Sequence, residues 1–146
     1  MQDDLILVTG GAGFIGSALV RYLIRETQAC VLNVDALTYA ANLANLAEVE
    51  NNRRYAFKQI DICSAPEIER LFESYRPGAV VHLAAETHVD RGTATLLLAA
   101  CRYWRALAPA QQARFRFLHV SSDAAEEREP RPCRNFYPRP VGPRFS

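Results

Sequence analysis

The sequence predicts an α/β fold, a parallel sheet of about five strands with helices on both faces. Two observations point there first: continuous apolar runs of strand length, and segments of helical periodicity that alternate with them. A third is that the chemically distinctive residues fall just after the runs, at the carboxyl ends of the strands, where open α/β sheets place their ligand sites.

Leu5-Ile6-Leu7-Val8 reads as a strand buried on both faces, and a glycine-rich turn follows at once. Ala18, Leu19, Tyr22 and Leu23 then repeat at helical spacing. Residues 30–34 form a second strand ending at Asp35, residues 42–49 a short helix, and residues 55–60 a third strand. Ser64 and Glu67 are spaced as a capping box ahead of Ile68, Leu71 and Phe72, with Pro66 tolerated in the first turn and Pro77-Gly78 ending the helix. Residues 80–83 give the fourth strand, residues 93–107 a helix stopped by Pro109, and residues 115–120 the fifth strand. His82 and His119, each within an apolar strand, are expected to be buried core histidines.

With 146 residues and 49% hydrophobic content, one domain with a core is expected. A net charge of +1, with Lys58 the single lysine, provides no field toward nucleic acid or a membrane. Cys30, Cys63, Cys101 and Cys133 are far apart and include no CxxC pair, so reduced thiols are expected, with no metal site. Asp3 and Asp4 near the N-terminus do not suit a signal peptide, and the uncharged run at residues 94–101 is far short of a membrane span. A soluble, cytoplasmic protein is the expectation. Residues 1–123 read as the domain. Residues 124–146 hold five of the eight prolines, interleaved with arginines, and are expected to be a disordered tail.

In Thr9-Gly10-Gly11-Ala12-Gly13-Phe14-Ile15-Gly16, the glycines at 10, 13 and 16 let backbone turn tightly and approach a pyrophosphate at a helix N-terminus. Asp35 answers it from the end of the second strand, nineteen residues beyond Gly16. Its carboxylate would accept from ribose hydroxyls and repel a 2′-phosphate, so the pattern indicates a Rossmann-like dinucleotide site that favours NAD over NADP.

TGGAGFIG, VDALTYAANLANL, IDI, LAAETHVDR and FLHVSSD together resemble the amino-terminal part of the dTDP-glucose 4,6-dehydratases, in the extended short-chain dehydrogenase/reductase family. The resemblance covers residues 5–91 and resumes over 92–123. It implies NAD contacts at Phe14, Ile15, Asp35, Ala36, Leu37, Thr38, Asp61, Ile62, Leu83, Ala84, Ala85 and Thr87, besides the glycines. Asp61 reads equally well as a helix-capping residue near Ser64. Thr87 and Ser122 would lie near a dTDP-sugar, and Asp123 matches the family's general acid.

Members of that family oxidise the sugar at C4, eliminate water across C5 and C6, and return the hydride to C6. The first step needs a tyrosine whose pKa is lowered by a lysine four residues later. Four residues beyond the six tyrosines stand Glu26, Leu43, Gln59, Ala79, Leu107 and Val141, none of them lysine. The elimination needs adjacent Asp and Glu, and Ala124 occupies the glutamate's place after Asp123. Between Arg91 and Gly92 the family carries additional residues, although a helix of about fifteen residues, about 22 Å long, still spans a strand of about six residues. The expectation is therefore a truncated Rossmann-like sheet that binds NAD without turnover, with its fifth strand an open edge and without the helices that form the family's dimer interface. The alternatives are a dehydratase completed by another chain and a noncatalytic interaction protein using the tail. The tail's five arginines against three glutamates, +2, give the latter little support.

Overall fold

The computed structural model describes residues 2–38, 41–83 and 89–120, so the tail at residues 124–146 lies outside the described residues. In chain order the elements are β1 (Gln2–Thr9), α1 (Phe14–Glu26), β2 (Cys30–Asp35), a 3-10 turn (Leu43–Leu46), β3 (Tyr55–Gln59), α2 (Ala65–Tyr75), β4 (Pro77–His82), α3 (Val89–Ala106), α4 (Pro109–Arg114) and β5 (Arg116–His119). The strands form one parallel sheet in the order β3-β2-β1-β4-β5. The chain thus builds outward from β1 to β3, then returns to place β4 on β1's other side. This reversal leaves a crevice at the carboxyl ends of β1 and β4.

Alternation along each strand assigns its side chains to one of two layers. Leu5 and Leu7 of β1, Leu32 and Val34 of β2, and Val80 of β4 pack against Ile68, Leu71 and Phe72 of α2 and Leu96, Ala99 and Tyr103 of α3. Val8 and Val31 face the other way, onto Val20 and Ile24 of α1 and Leu46 of the 3-10 turn. Each fully buried aliphatic side chain contributes about 1.5–3 kcal/mol, so this double layer is the main source of stability. Tyr103 joins three elements: its ring lies 5.1 Å from Phe72 and 5.6 Å from Phe115, and its hydroxyl donates to the Pro77 carbonyl at 2.8 Å.

The helix after β4 runs unbroken through Arg91 and Gly92, starting earlier than its periodicity suggests, and closes the crossover to β5. Gly92 is buried, and a Cβ there would lie 2.7 Å from Ile62 Cδ1, so a larger residue would require the Ile62 side chain to shift.

Four expectations need correction. Ser64 occupies the N-cap of α2, but its side chain makes no capping bond, so the capping box is not formed. α2 ends at Tyr75 through the left-handed Arg76 (φ 49°), and Pro77-Gly78 opens β4 instead of ending the helix. Pro109 does not simply stop α3; it begins α4, where its fixed φ and missing N–H suit the first turn. His119 is exposed because β5 is an edge strand, whereas His82 is fully buried as expected.

Candidate functional site

The site begins where β1 runs out. Gly10 has φ 73°, a left-handed conformation that glycine adopts at no steric cost, and its N–H donates to the Val34 carbonyl at 2.9 Å. The Gly13 N–H then donates to the Gly10 carbonyl at 3.2 Å, closing the turn. A Cβ on Gly16 would lie 2.0 Å from that same carbonyl oxygen. α1 starts immediately, with Gly13 at the N-cap, no side-chain cap and no acid in its first turn. Its first N–H groups therefore remain available to an anion, aided by the helix dipole.

Asp35, at the end of β2, holds this turn from the side. Oδ2 accepts from the Ala12 N–H at 3.0 Å and Oδ1 from the Leu37 N–H at 2.8 Å. The second bond bends the chain so sharply that Leu37 adopts φ 58°. Each carboxylate oxygen retains a further lone pair for a ligand hydroxyl.

A cleft of about 330 Å³ opens above these elements. It is lined by Gly10, Gly13, Phe14, Ile15, Gly16, Asp35, Ala36, Thr38, Ile62 and Leu83, all singled out from the sequence, and also by Val34, Ala41 and Ile60, which were not. Val34 and Ile60 lie beside named positions, so strand-end proximity was the signal available for them. Phe14 is 88% exposed and Ile15 65%, which leaves apolar surface at the mouth. Leu37 and Asp61 are not among the lining residues. Leu37 packs against the α1-side core, and Asp61 accepts from the Cys63 N–H at 2.8 Å in the turn leading to α2. Ala84, Ala85, Thr87, Ser122 and Asp123 lie outside the described residues.

Sequence reasoning missed the role of Gly11. A Cβ there would fall 2.1 Å from Oδ1 of Asn33, a completely buried side chain from β2. Asn33 Nδ2 donates to the Tyr55 hydroxyl at 3.1 Å, and burial raises the pKa of that hydroxyl above its ordinary 10.0. Only the pairing of β1 with β2 brings Gly11 to Asn33, so no local pattern could have revealed it.

Chemically, the cleft combines a glycine floor at a helix N-terminus, a carboxylate suited to hydroxyls, and apolar walls suited to a flat ring. A second polar cluster lies below it. His82 Nδ1 is 2.6 Å from Thr9 Oγ1, Nε2 is 2.9 Å from Thr93 Oγ1, and the His119 ring stacks at 4.8 Å. Burial, then the neighbouring His119, lowers the His82 pKa to about 4, so the ring is neutral at pH 7. Among the described residues no group of three or more His, Cys, Asp or Glu could hold a metal ion, and no helix is long and apolar enough to cross a membrane.

Comparison with known proteins agrees with this geometry. The model of the NAD dependent epimerase/dehydratase family matches residues 6–140. The chain belongs to that family. The match extends past Asp123, where the motif resemblance stops. The dTDP-glucose 4,6-dehydratase of Haemophilus influenzae is 54% identical over 132 residues, covering 81% of this chain, and that of Neisseria meningitidis serogroup B is equally similar. The chain spans 39% and 37% of the length of these two relatives. Among solved structures, the dTDP-glucose 4,6-dehydratase of Bacillus anthracis in complex with NAD superimposes with a TM-score of 0.70 at 33% identity, covering 82% of this chain and 37% of that one. The UDP-glucose 4-epimerase of Thermotoga maritima with UDP-glucose gives 0.58 at 35% identity over 68% of this chain and 34% of its own.

Proposed function

We propose that the chain binds NAD in the cleft at the carboxyl ends of β1, β2 and β4, as the dinucleotide-binding part of a dTDP-glucose 4,6-dehydratase-like protein. The observation that carries this reading is the glycine cradle, where a Cβ at Gly16 would meet the Gly10 carbonyl at 2.0 Å and no side chain intervenes before the N-terminus of α1. The pyrophosphate would rest on the N–H groups of α1, with Gly10, Gly13 and Gly16 beneath it. Asp35 would accept from the ribose hydroxyls, which favours NAD over NADP, and Val34, Ala36, Thr38, Ile60 and Ile62 would enclose the adenine end. NAD supplies a hydride acceptor when bound. The Bacillus anthracis relative, solved with NAD, supports the same reading.

On this reading residues 1–123 make up the NAD-binding domain. Leu83, Ala84, Ala85 and Thr87 would border the nicotinamide end, Thr87 and Ser122 would lie near a dTDP-sugar, and Asp123 would be a remnant general acid. No tyrosine has a lysine four residues on, so these 146 residues are proposed to bind NAD without dehydrating a sugar. The location would be cytoplasmic.

Calorimetric titration with NAD tests the binding, with circular dichroism to confirm folding. Saturable binding is expected, and Asp35→Ala should weaken it by at least about tenfold, the effect of losing a hydrogen bond to a charged group. Unchanged affinity in a folded Asp35→Ala protein would reject the assignment. Formation of a 4-keto-6-deoxy sugar from dTDP-glucose and NAD would reject the noncatalytic reading.

A further inference from the structure

A buried polar cluster lies below the cleft, apart from the residues that line it. His82 is fully buried at the end of β4, and its two ring nitrogens meet threonines on two other elements, Thr9 of β1 and Thr93 of α3. Gly10 follows Thr9 and Leu83 follows His82, and both line the cleft. The Leu83 N–H also donates to the Thr9 carbonyl at 3.0 Å, so the two strand ends are joined through side chain and backbone together.

We propose that His82 is a positioning residue for the cleft: its Nδ1 bond to Thr9 sets the glycine turn, and its Nε2 bond to Thr93 anchors α3 against β4. Filling this volume alone would require only an aliphatic side chain, whereas a buried imidazole carries a desolvation cost that its hydrogen bonds must offset. Both ring nitrogens have partners, which fixes the ring plane between β1 and α3. The bond to Thr9 acts one residue before the left-handed Gly10, where a small change in strand direction would displace the whole turn. The link to ligand binding rests on the NAD reading; the ordering of the turn does not.

Three variants separate the two bonds. The amide of His82→Asn reaches about as far as Nδ1 and that of His82→Gln about as far as Nε2, while Thr9→Val removes the hydroxyl alone. Thr9→Val and His82→Gln should each weaken NAD binding by about tenfold, and His82→Asn by no more than about twofold. The same two disruptive variants should also accelerate amide hydrogen exchange at Gly10, whose N–H is held by the Val34 carbonyl. Folded Thr9→Val and His82→Gln proteins with unaltered affinity and unaltered Gly10 exchange would overturn the proposal. If the unsubstituted protein fails to bind NAD, the NAD reading falls and Gly10 exchange decides the positioning role, faster exchange supporting it and unchanged exchange overturning it. If the His82 variants do not fold, Thr9→Val decides by the same readouts.

Discussion

The two flanks of the sheet are covered very differently. From β1 through β2, Leu7, Val8, Leu32 and Val34 are completely buried, with α2 and α3 on one side and α1 with the 3-10 turn on the other. On β5, among the described residues, one side is served: Phe117 packs against the α2/α3 layer, while Leu118 on the opposite side is 55% exposed and Val120 just beyond the strand is 44% exposed. Among the described residues the cleft is lined from the covered flank and reaches Leu83 after β4. The proposed nucleotide framework therefore rests on double-layered packing, and the open flank should matter to association more than to binding.

The strongest way to break this contrast lies in the glycine turn. In Gly16→Val the new Cβ would need the space of the Gly10 carbonyl, which is backbone held in the turn and not a side chain that can swing aside. A fall in NAD affinity of about a hundredfold or more is expected, at or above the upper end of the typical ~1–3 kcal/mol cost of overpacking, because the turn itself must open. Calorimetry on protein shown to be folded by circular dichroism checks it. Near-normal affinity would mean that the turn does not cradle the ligand.

A smaller effect comes from the seam between the flanks, where His82 of β4 stacks on His119 of β5. Burial first, then His119, lowers the His82 pKa from 6.5 to about 4, so as pH falls the unfolded chain takes up the proton before the folded one. The stabilising contribution is complete above about pH 6.5 and is lost as pH falls toward 4. The protein should be about 1–2 kcal/mol less stable at pH 5 than at pH 7, and His82→Gln should remove most of that difference. Urea unfolding of both proteins at the two pH values measures it; an equal pH dependence in the two would show that His82 is not the group responsible.

The covered flank was also the more legible one in the sequence. Its strands are unbroken apolar runs, its turn is marked by glycines, and Asp35 stands at a strand end, all of them local signals. Contacts between elements were not legible. Gly11 is required by Asn33 from another strand, and the N–H groups of Ala12 and Leu37 that occupy Asp35 become its partners only once the turn has folded. On the open flank the difficulty was ambiguity. A proline such as Pro109 stops one helix and starts the next with equal ease, and although the fifth strand was expected at an edge, the apolar run around His119 still suggested a buried ring. The N-terminal extension of β1 over Gln2, Asp3 and Asp4 was likewise hidden by polar residues, because that end is set by pairing of Gln2 with Pro77 across a register shift.

The smallest effect sharpens the comparison most. Leu118→Lys places a charge on the uncovered side of β5, where the present side chain is already 55% exposed. Little burial is lost, so the change in stability should stay within about 0.5 kcal/mol, the usual range for surface positions. NAD affinity should be unchanged, since Leu118 is not among the cleft residues. Self-association should fall, because a lysine on an exposed edge strand disfavours edge-to-edge pairing. Sedimentation at several protein concentrations, with urea unfolding alongside, separates the outcomes. A loss of several kcal/mol would show that this face is covered in solution, and the contrast between the flanks would then have to be withdrawn.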